Sequence, residues 1–127
     1  MTILKYEELS YSDLCEIKRE TCAVFIPIGP LEQHGPHLPL GIDALAARHL
    51  SEKMCERLQK KFPEWNFILF PTIYAGADTL AHHGTIEVSP SVVRALLYSC
   101  CKHLAKEGFK TLAAVGAHGG PRHMVVL

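Results

Sequence analysis

Residues 22–29 read Cys-Ala-Val-Phe-Ile-Pro-Ile-Gly, an apolar run in which polar side chains do not alternate with apolar ones. Such a run is typical of a strand that is buried on both faces, as strands of a parallel sheet are. Pro27 lies inside the run, and because proline has no N–H to donate, we expect it to mark the strand's end or an irregularity. This stretch predicts a buried strand of a parallel sheet.

Two further apolar runs, at residues 66–73 and 111–116, predict two more buried strands. The segment between the first two strands, residues 43–61, carries apolar side chains at helical spacing. A second helix is expected from Ser89 and Pro90, a cap-then-proline start, up to Gly108. The order β-α-β-α-β with short connections predicts a parallel sheet with helices on its faces.

Two weaker elements flank this framework. Residues 9–20 predict a short amphipathic helix that Ser10 or Ser12 could cap. Residues 84–88 alternate between polar and apolar side chains, which is typical of a short edge strand.

The composition narrows the function classes. A length of 127 residues suggests one domain, and 48% hydrophobic residues allow a core of modest size. Thirteen basic residues balance thirteen acidic ones, so the basic footprint of nucleic-acid binding is absent. The chain has no polybasic patch of the kind that binds an anionic membrane, and its apolar runs are too short to span a bilayer. We expect neither nucleic acid nor membrane as a partner.

The cysteines and histidines indicate compartment and chemistry. Five cysteines, an odd number without a C-x-x-C pair, argue against a disulfide framework and against structural zinc on cysteine. This pattern fits a reducing compartment, and the N-terminus turns acidic too early for a signal peptide, so we expect a cytoplasmic protein. Eight histidines are unusual for this length. His49 and His103 fall in helical patterns, and we expect them at the surface.

The loop after the first strand is rich in metal-ligand residue types. Residues 29–43 read Gly-Pro-Leu-Glu-Gln-His-Gly-Pro-His-Leu-Pro-Leu-Gly-Ile-Asp. Their glycines and prolines exclude the interior of a helix or strand. Polar, glycine-containing loops at residues 74–85 and 116–123 follow the next two strands. Ligands bind beyond the carboxyl ends of parallel strands, so we expect the three loops to converge on one crevice.

Four residues of these loops suit a metal site: Glu32, His34, Asp43 and His118. Glu32 and His34 are two apart and would point the same way in an extended loop. Asp43 would be fixed as the N-cap of the following helix, and its two oxygens could bridge two metals. Two carboxylates with two histidines and no thiolate suit zinc, manganese or iron, which would activate a water and polarise a carbonyl. Hydrolysis of an amide, a cyclic amide or an ester is the chemistry such a site favours.

Simpler roles stay open for these residues. Asp43 could be only a helix cap. The run His118-Gly119-Gly120 could be an anion loop that holds a phosphate without any metal. Asp78 is expected to be a turn residue. Four other histidines are expected to have no function: the solvated pair His82-His83, His37 and His123.

The run Glu32–Asp43 closely resembles the signature of the creatininase (creatinine amidohydrolase) family. Two later segments resemble further family motifs in the family's order: His82–Ile86 for Phe-Pro-Gly-Thr-hydrophobic, and Gly116–Pro121 for Asn-Gly-His-Gly-Gly-Asn. The resemblance covers roughly residues 21–123. It implies a parallel-sheet, three-layer α/β/α sandwich with a two-metal centre that hydrolyses amide or cyclic amide bonds.

Carried over by position, the resemblance implies that Glu32 and His118 serve one metal and His34 the other, with Asp43 as the bridge. We therefore expect one or two divalent ions, zinc first, with manganese or iron as alternatives. A small-molecule amide is the expected substrate, and a homo-oligomer the expected assembly. Neither the catalytic base nor the substrate-binding residues are identified.

The chain also departs from the family pattern. Glycine and proline stand at positions 116 and 121, where the family has asparagine. Gly120 stands where creatininase itself has a glutamate for its second metal. The pair His82-His83 replaces Phe-Pro, and an upstream family histidine falls near Thr79. One histidine of that pair could compensate for it.

Family members are longer than this chain. We therefore expect residues 1–127 to form a single, incomplete creatininase-like domain, truncated after the third core strand. An apolar stretch at residues 124–127 and the exposed edges of such a sheet favour self-association. The predicted function is metal-dependent hydrolysis of a small amide or cyclic amide. The alternative is a catalytically weakened member that acts as a metal- or ligand-binding or structural subunit.

Overall fold

A parallel sheet carries helices on both faces in the computed structural model, which describes residues 3–127. The strands are β1 (Leu4–Lys5), β2 (Cys22–Gly29), β3 (Asn66–Leu69), β4 (Ile73–Tyr74) and β5 (Thr111–Gly116). The helices are α1 (Tyr11–Glu16), α2 (Ile42–Lys61), α3 (Pro90–Lys106) and α4 (Pro121–Val126). The predicted α/β class with a parallel sheet is confirmed. The two-residue strand β1 carries no pattern of its own and was not predicted.

β2 is the centre of the sheet. β5 pairs with one edge of it, from Ala23–Thr111 to Ile28–Gly116, so β3 and β4 share the other edge. β1 pairs with β3 on its far side, and each of these pairings is parallel. The predicted strand at residues 66–73 is thus broken in two. The break lies beside Pro27, which has no N–H to donate. β2 itself continues through Pro27 to Gly29.

The side chains of β2 alternate between two helical layers. On one face, Val24 and Ile26 pack with Leu97 of α3 in one apolar cluster. On the other face, Phe25 packs with Cys55 of α2. Full burial of each such large apolar side chain contributes about 1.5–3 kcal/mol relative to exposure. The two clusters make the sheet the middle layer of an α/β/α arrangement.

Two local predictions are wrong. Gly41, not Asp43, is the N-cap of α2, and the Asp43 carboxylate makes no cap bond. It lies within the first helical turn, where the helix dipole still favours a negative charge. Residues 84–88, which lie in the described part of the chain, form no strand. Ile86 makes only an isolated antiparallel bridge with Leu31, since no other strand lies beside it to extend the pairing.

The end of β2 and the start of α2 are in close contact. A Cβ atom at Gly29 would lie 2.7 Å from the backbone nitrogen of Ala44, so only glycine fits without displacement. This contact holds the first turn of α2, with Asp43, directly beyond the strand. Within residues 3–127, no helix is both long and apolar enough to cross a membrane. His49 and His103 are exposed, as predicted.

Candidate metal centre

The three predicted loops meet at the carboxyl edge of the sheet. Glu32, Asp43 and His118 each offer one ligand atom, and these atoms lie within 4.8 Å of one another. All three residues are buried, with exposures of 4%, 8% and 8%. The side chain of His34 is 31% exposed and completes the group on its open side. The structure therefore brings the four predicted residues together, and their role as metal ligands stays a prediction.

Asp43 lies between the two histidine rings. Its Oδ2 atom is 3.0 Å from His118 Nδ1, and its Oδ1 atom is 3.4 Å from His34 Nε2. The Oε2 atom of Glu32 is 3.3 Å from the same Nδ1 of His118. One carboxylate thus reaches both rings, and a second carboxylate reaches only the buried ring.

A backbone carbonyl orients each ring. His118 Nε2 lies 3.1 Å from the oxygen of Ala77, and His34 Nδ1 lies 3.0 Å from the oxygen of Glu32. A carbonyl oxygen only accepts, so these nitrogens carry the hydrogen, and in a neutral ring the other nitrogen has a lone pair. Both lone pairs then face carboxylate oxygens. A metal-binding histidine commonly donates its other N–H to a carbonyl in this way. A cation or a proton between the lone pair and the carboxylate would relieve the repulsion between them.

Two further observations fit a cation at this place. The backbone N–H of Leu80 donates to Glu32 Oε1 at 2.5 Å, which leaves Oε2 directed toward His118. Asp43 Oδ2 is buried and has no hydrogen-bond donor among the described residues. An unsatisfied buried carboxylate oxygen is costly, and a divalent ion would satisfy it. The nitrogen and oxygen donors present suit zinc, manganese or iron.

Hydrogen bonds hold the first loop in place. The N–H of Glu32 donates to the oxygen of Leu40 at 2.8 Å and closes the loop on itself. The N–H of Gln33 donates to Thr85 Oγ1 at 3.1 Å, which joins this loop to the second one. The segment that carries Glu32 and His34 is therefore tied both to the end of its own loop and to the second loop.

The other candidates lie outside the cluster. His37, His82 and His83 are exposed, as expected for solvated side chains. Asp78 lies in a bend at a φ of 61°, so the turn prediction is confirmed. A Cβ atom at Gly120 would lie 2.6 Å from His118 Nε2, so a glutamate at this position does not fit this backbone.

Sequence reasoning missed the burial of His123. This residue is fully buried, and its ring meets that of His118 edge-on with a centroid distance of 5.2 Å. Burial lowers the pKa of His123, the neighbouring His118 lowers it further, and Asp43 opposes this. The Nδ1 atom of His123 accepts the N–H of Ala77 at 3.3 Å. No local pattern could reveal a contact with the backbone of so distant a segment.

A family comparison agrees with the loop motifs. The family model named Creatininase, described as creatinine amidohydrolase, matches residues 7–127. The chain belongs to the creatininase family. The family resemblance of its loop motifs is thereby confirmed.

Curated relatives of this family member are mycofactocin precursor peptide peptidases. The protein of Mycobacterium ulcerans (strain Agy99) is 34% identical over 119 residues, which are 89% of this chain and 46% of the relative. That of Mycobacterium tuberculosis (strain CDC 1551 / Oshkosh) is 28% identical over 118 residues, 89% of this chain and 47% of the relative. The chain spans about half the length of the curated relatives it matches.

Solved creatininase structures share the fold. A structure described as creatininase Mn is 19% identical, with a TM-score of 0.78 over 98% of this chain and 49% of that one. A creatinine amidohydrolase (creatininase) structure is also 19% identical, with a TM-score of 0.78 over 99% of this chain and 49% of that one. A further creatininase structure is described as Zn-Zn type. Manganese and zinc are thus the metals named for these structures.

Proposed function

We propose that the protein is a metal-dependent hydrolase of amide bonds that binds its metal through Glu32, His34, Asp43 and His118. The observation that carries the proposal is the orientation of two histidine rings. In both His34 and His118, one ring nitrogen faces Asp43 and the other is hydrogen-bonded to a backbone carbonyl. Membership in the creatininase family supports the same reaction class.

The geometry suggests a division of labour among the four residues. Glu32 and His118 would hold one ion on the buried side, and His34 would serve a second on the open side. Asp43 would bridge them, because its two oxygens face different rings. We propose zinc first, with manganese or iron as alternatives, and one or two ions. A bound divalent metal supplies a Lewis acid that lowers the pKa of a water and polarises an amide carbonyl.

The substrate we propose is a small amide or a cyclic amide. It would approach from the side of His34, because His34 is partly exposed while the other three residues are buried. A peptide amide is the second candidate, because the curated relatives are peptide peptidases.

The alternative function is a weakened member that binds a metal or ligand without efficient turnover. The observation that favours it is Gly120, where the surrounding atoms leave no room for the glutamate that completes the second metal in creatininase. Self-association also stays a prediction. The exposed apolar side chains of Met124 and Val125 support it, and light scattering would test it.

The test combines metal uptake with turnover. Purified protein is reconstituted with zinc, manganese or ferrous iron, and then assayed on creatinine, lactams, formamides and short peptides. Uptake with turnover that is lost in Glu32→Ala supports hydrolysis. Uptake without turnover on any substrate supports the weakened member instead. A protein that takes up none of the three metals would reject both hydrolysis and metal binding, and would leave only a ligand-binding or structural role.

A further inference from the structure

One short segment of backbone orients two of the three buried candidate ligands, Glu32 and His118. We call it the 77–80 segment, after residues Ala77 to Leu80. Its first carbonyl accepts from His118 Nε2 at 3.1 Å, and its last N–H donates to Glu32 Oε1 at 2.5 Å. In both cases the bond fixes one atom of the ligand and leaves the other, Nδ1 or Oε2, directed into the cluster. The position of the 77–80 segment therefore sets the direction of two ligands.

The segment is itself held by α4. The N–H of Ala77 donates to His123 Nδ1 at 3.3 Å, and Asp78 Oδ2 accepts the N–H of Arg122 at 3.1 Å. Asp78 keeps a φ of 61°, a left-handed conformation that costs a residue other than glycine of order 1 kcal/mol or more. The two hydrogen bonds from α4 thus fall on this residue and on the one before it.

We propose that His123 is a positioning residue that aims the metal-facing nitrogen of His118, acting through Ala77. The chain of contacts is short: the acceptor on His123 holds the N–H of Ala77, and the carbonyl of the same residue holds the N–H of His118. The proposal rests on the metal site proposed above. It gives a role to a residue that touches neither ion nor substrate.

Packing alone does not explain a histidine at this position. Since Nδ1 accepts from Ala77, the hydrogen of the neutral ring is on Nε2, and that buried atom has no partner among the described residues. A buried unsatisfied donor costs about 1–3 kcal/mol, which an apolar side chain would avoid. What the ring supplies, and an apolar side chain does not, is the acceptor for Ala77. Gly116, at the end of β5, and Pro121, at the start of α4, have no side-chain acceptor to offer.

The test uses two amide side chains that place their oxygen differently. In His123→Asn, the side-chain oxygen can occupy the place of Nδ1 and accept from Ala77. In His123→Gln, it reaches the place of Nε2 and leaves that N–H without its acceptor. Leu104→Ala is the control for lost stability, since Leu104 is buried in the core cluster formed with α3.

Two quantities are measured in each protein. Long-range ¹H–¹⁵N spectra of histidine in the metal-free protein, recorded above the ordinary histidine range of pH so that the rings are neutral, report which nitrogen of His118 carries the hydrogen. Competition with a chelator reports zinc affinity. We expect wild type, His123→Asn and Leu104→Ala to keep the hydrogen on Nε2 and to bind zinc alike. In His123→Gln we expect a mixture of tautomers and zinc affinity about tenfold weaker, as when the partner of a metal-binding histidine is lost.

The outcomes separate this proposal from the metal site itself. If wild type and His123→Gln bind zinc equally and show the same tautomer, the positioning role is wrong and the metal site stands. Equal losses in the Asn and Gln variants, or a similar loss in Leu104→Ala, would also overturn it, because shape or stability would then be the cause. If wild type binds no zinc, the metal site fails, and the metal-free spectra still decide whether His123 sets the tautomer.

Discussion

β2 joins two regions of opposite chemistry. Along Cys22–Ile26 it buries apolar side chains on both faces, and this burial favours folding. Just beyond Gly29, the chain buries the carboxylates of Glu32 and Asp43 against ring nitrogens. Buried polar groups without a matching partner oppose folding. The comparison teaches that the apolar half of the molecule stabilises a polar site that would not be stable alone, a trade-off common at functional sites.

The largest expected change in stability lies in the apolar region. Ile26→Ala removes a fully buried side chain and should lower the free energy of unfolding by about 2–5 kcal/mol in a urea titration. Leu50→Ala is the matched control, since Leu50 is 49% exposed and its truncation should change stability by no more than about 0.5 kcal/mol. Equal effects of the two substitutions would contradict the assignment of the core.

The buried side and the open side of the polar site should also differ, in how much each contributes to zinc affinity. His118→Ala removes the buried ring between two carboxylates and should weaken zinc binding by at least roughly 100-fold, beyond the loss of an outer hydrogen-bond partner. His34→Ala removes the half-exposed ring and should weaken it by about tenfold. His37→Ala, on the same loop and exposed, should leave affinity unchanged. A larger loss for His34→Ala would reverse the proposed order.

The cost of the polar site can be measured without metal. In Glu32→Gln, the amide oxygen can still accept from Leu80, while the new N–H₂ group can donate to His118 Nδ1. Above the ordinary histidine range of pH, the metal-free variant should be more stable than wild type by about 0.5–1.5 kcal/mol, although its zinc affinity falls.

Glu87→Gln, at an exposed position, is the control for Glu32→Gln and should change neither the stability nor the zinc affinity. Loss of stability in metal-free Glu32→Gln would show that the cluster does not oppose folding.

A pH-dependent change in stability is expected from the buried thiols. Burial raises the pKa of Cys22 and of Cys55 to about 11, above the ordinary value near 8.5. Neutral thiols therefore favour the folded state fully below about pH 8.5, and this contribution is lost as the pH rises through about 11. The melting temperature should therefore fall over this window. The fall should be smaller in the Cys22→Ala, Cys55→Ala double variant, and an equal fall in both proteins would argue against the thiols.

The sequence was sufficient for those parts of the fold that depend on local pattern. The apolar runs placed β2 and β5, and the spacing of apolar residues placed α2 and α3. The position of loops after parallel strands predicted that Glu32 and His118 would meet, because strand direction alone brings those loop starts to one edge.

The rest depended on contacts that no local pattern shows. Asp43 was expected to cap α2, but the preceding loop closes so that Gly41 takes that place. Alternation at residues 84–88 predicted a strand, yet a strand also needs a continuous partner, and the described residues give Ile86 only an isolated bridge with Leu31. The roles of Ala77 and Leu80 are played by backbone atoms, which any residue type except proline could supply.

The most direct test of the account is where zinc binds. Crystals grown with zinc can be measured on both sides of its absorption edge, and the difference map locates the ion. The account predicts a peak in contact with Glu32, Asp43 and His118. No peak there, or one only at the exposed pair His82-His83, would contradict it.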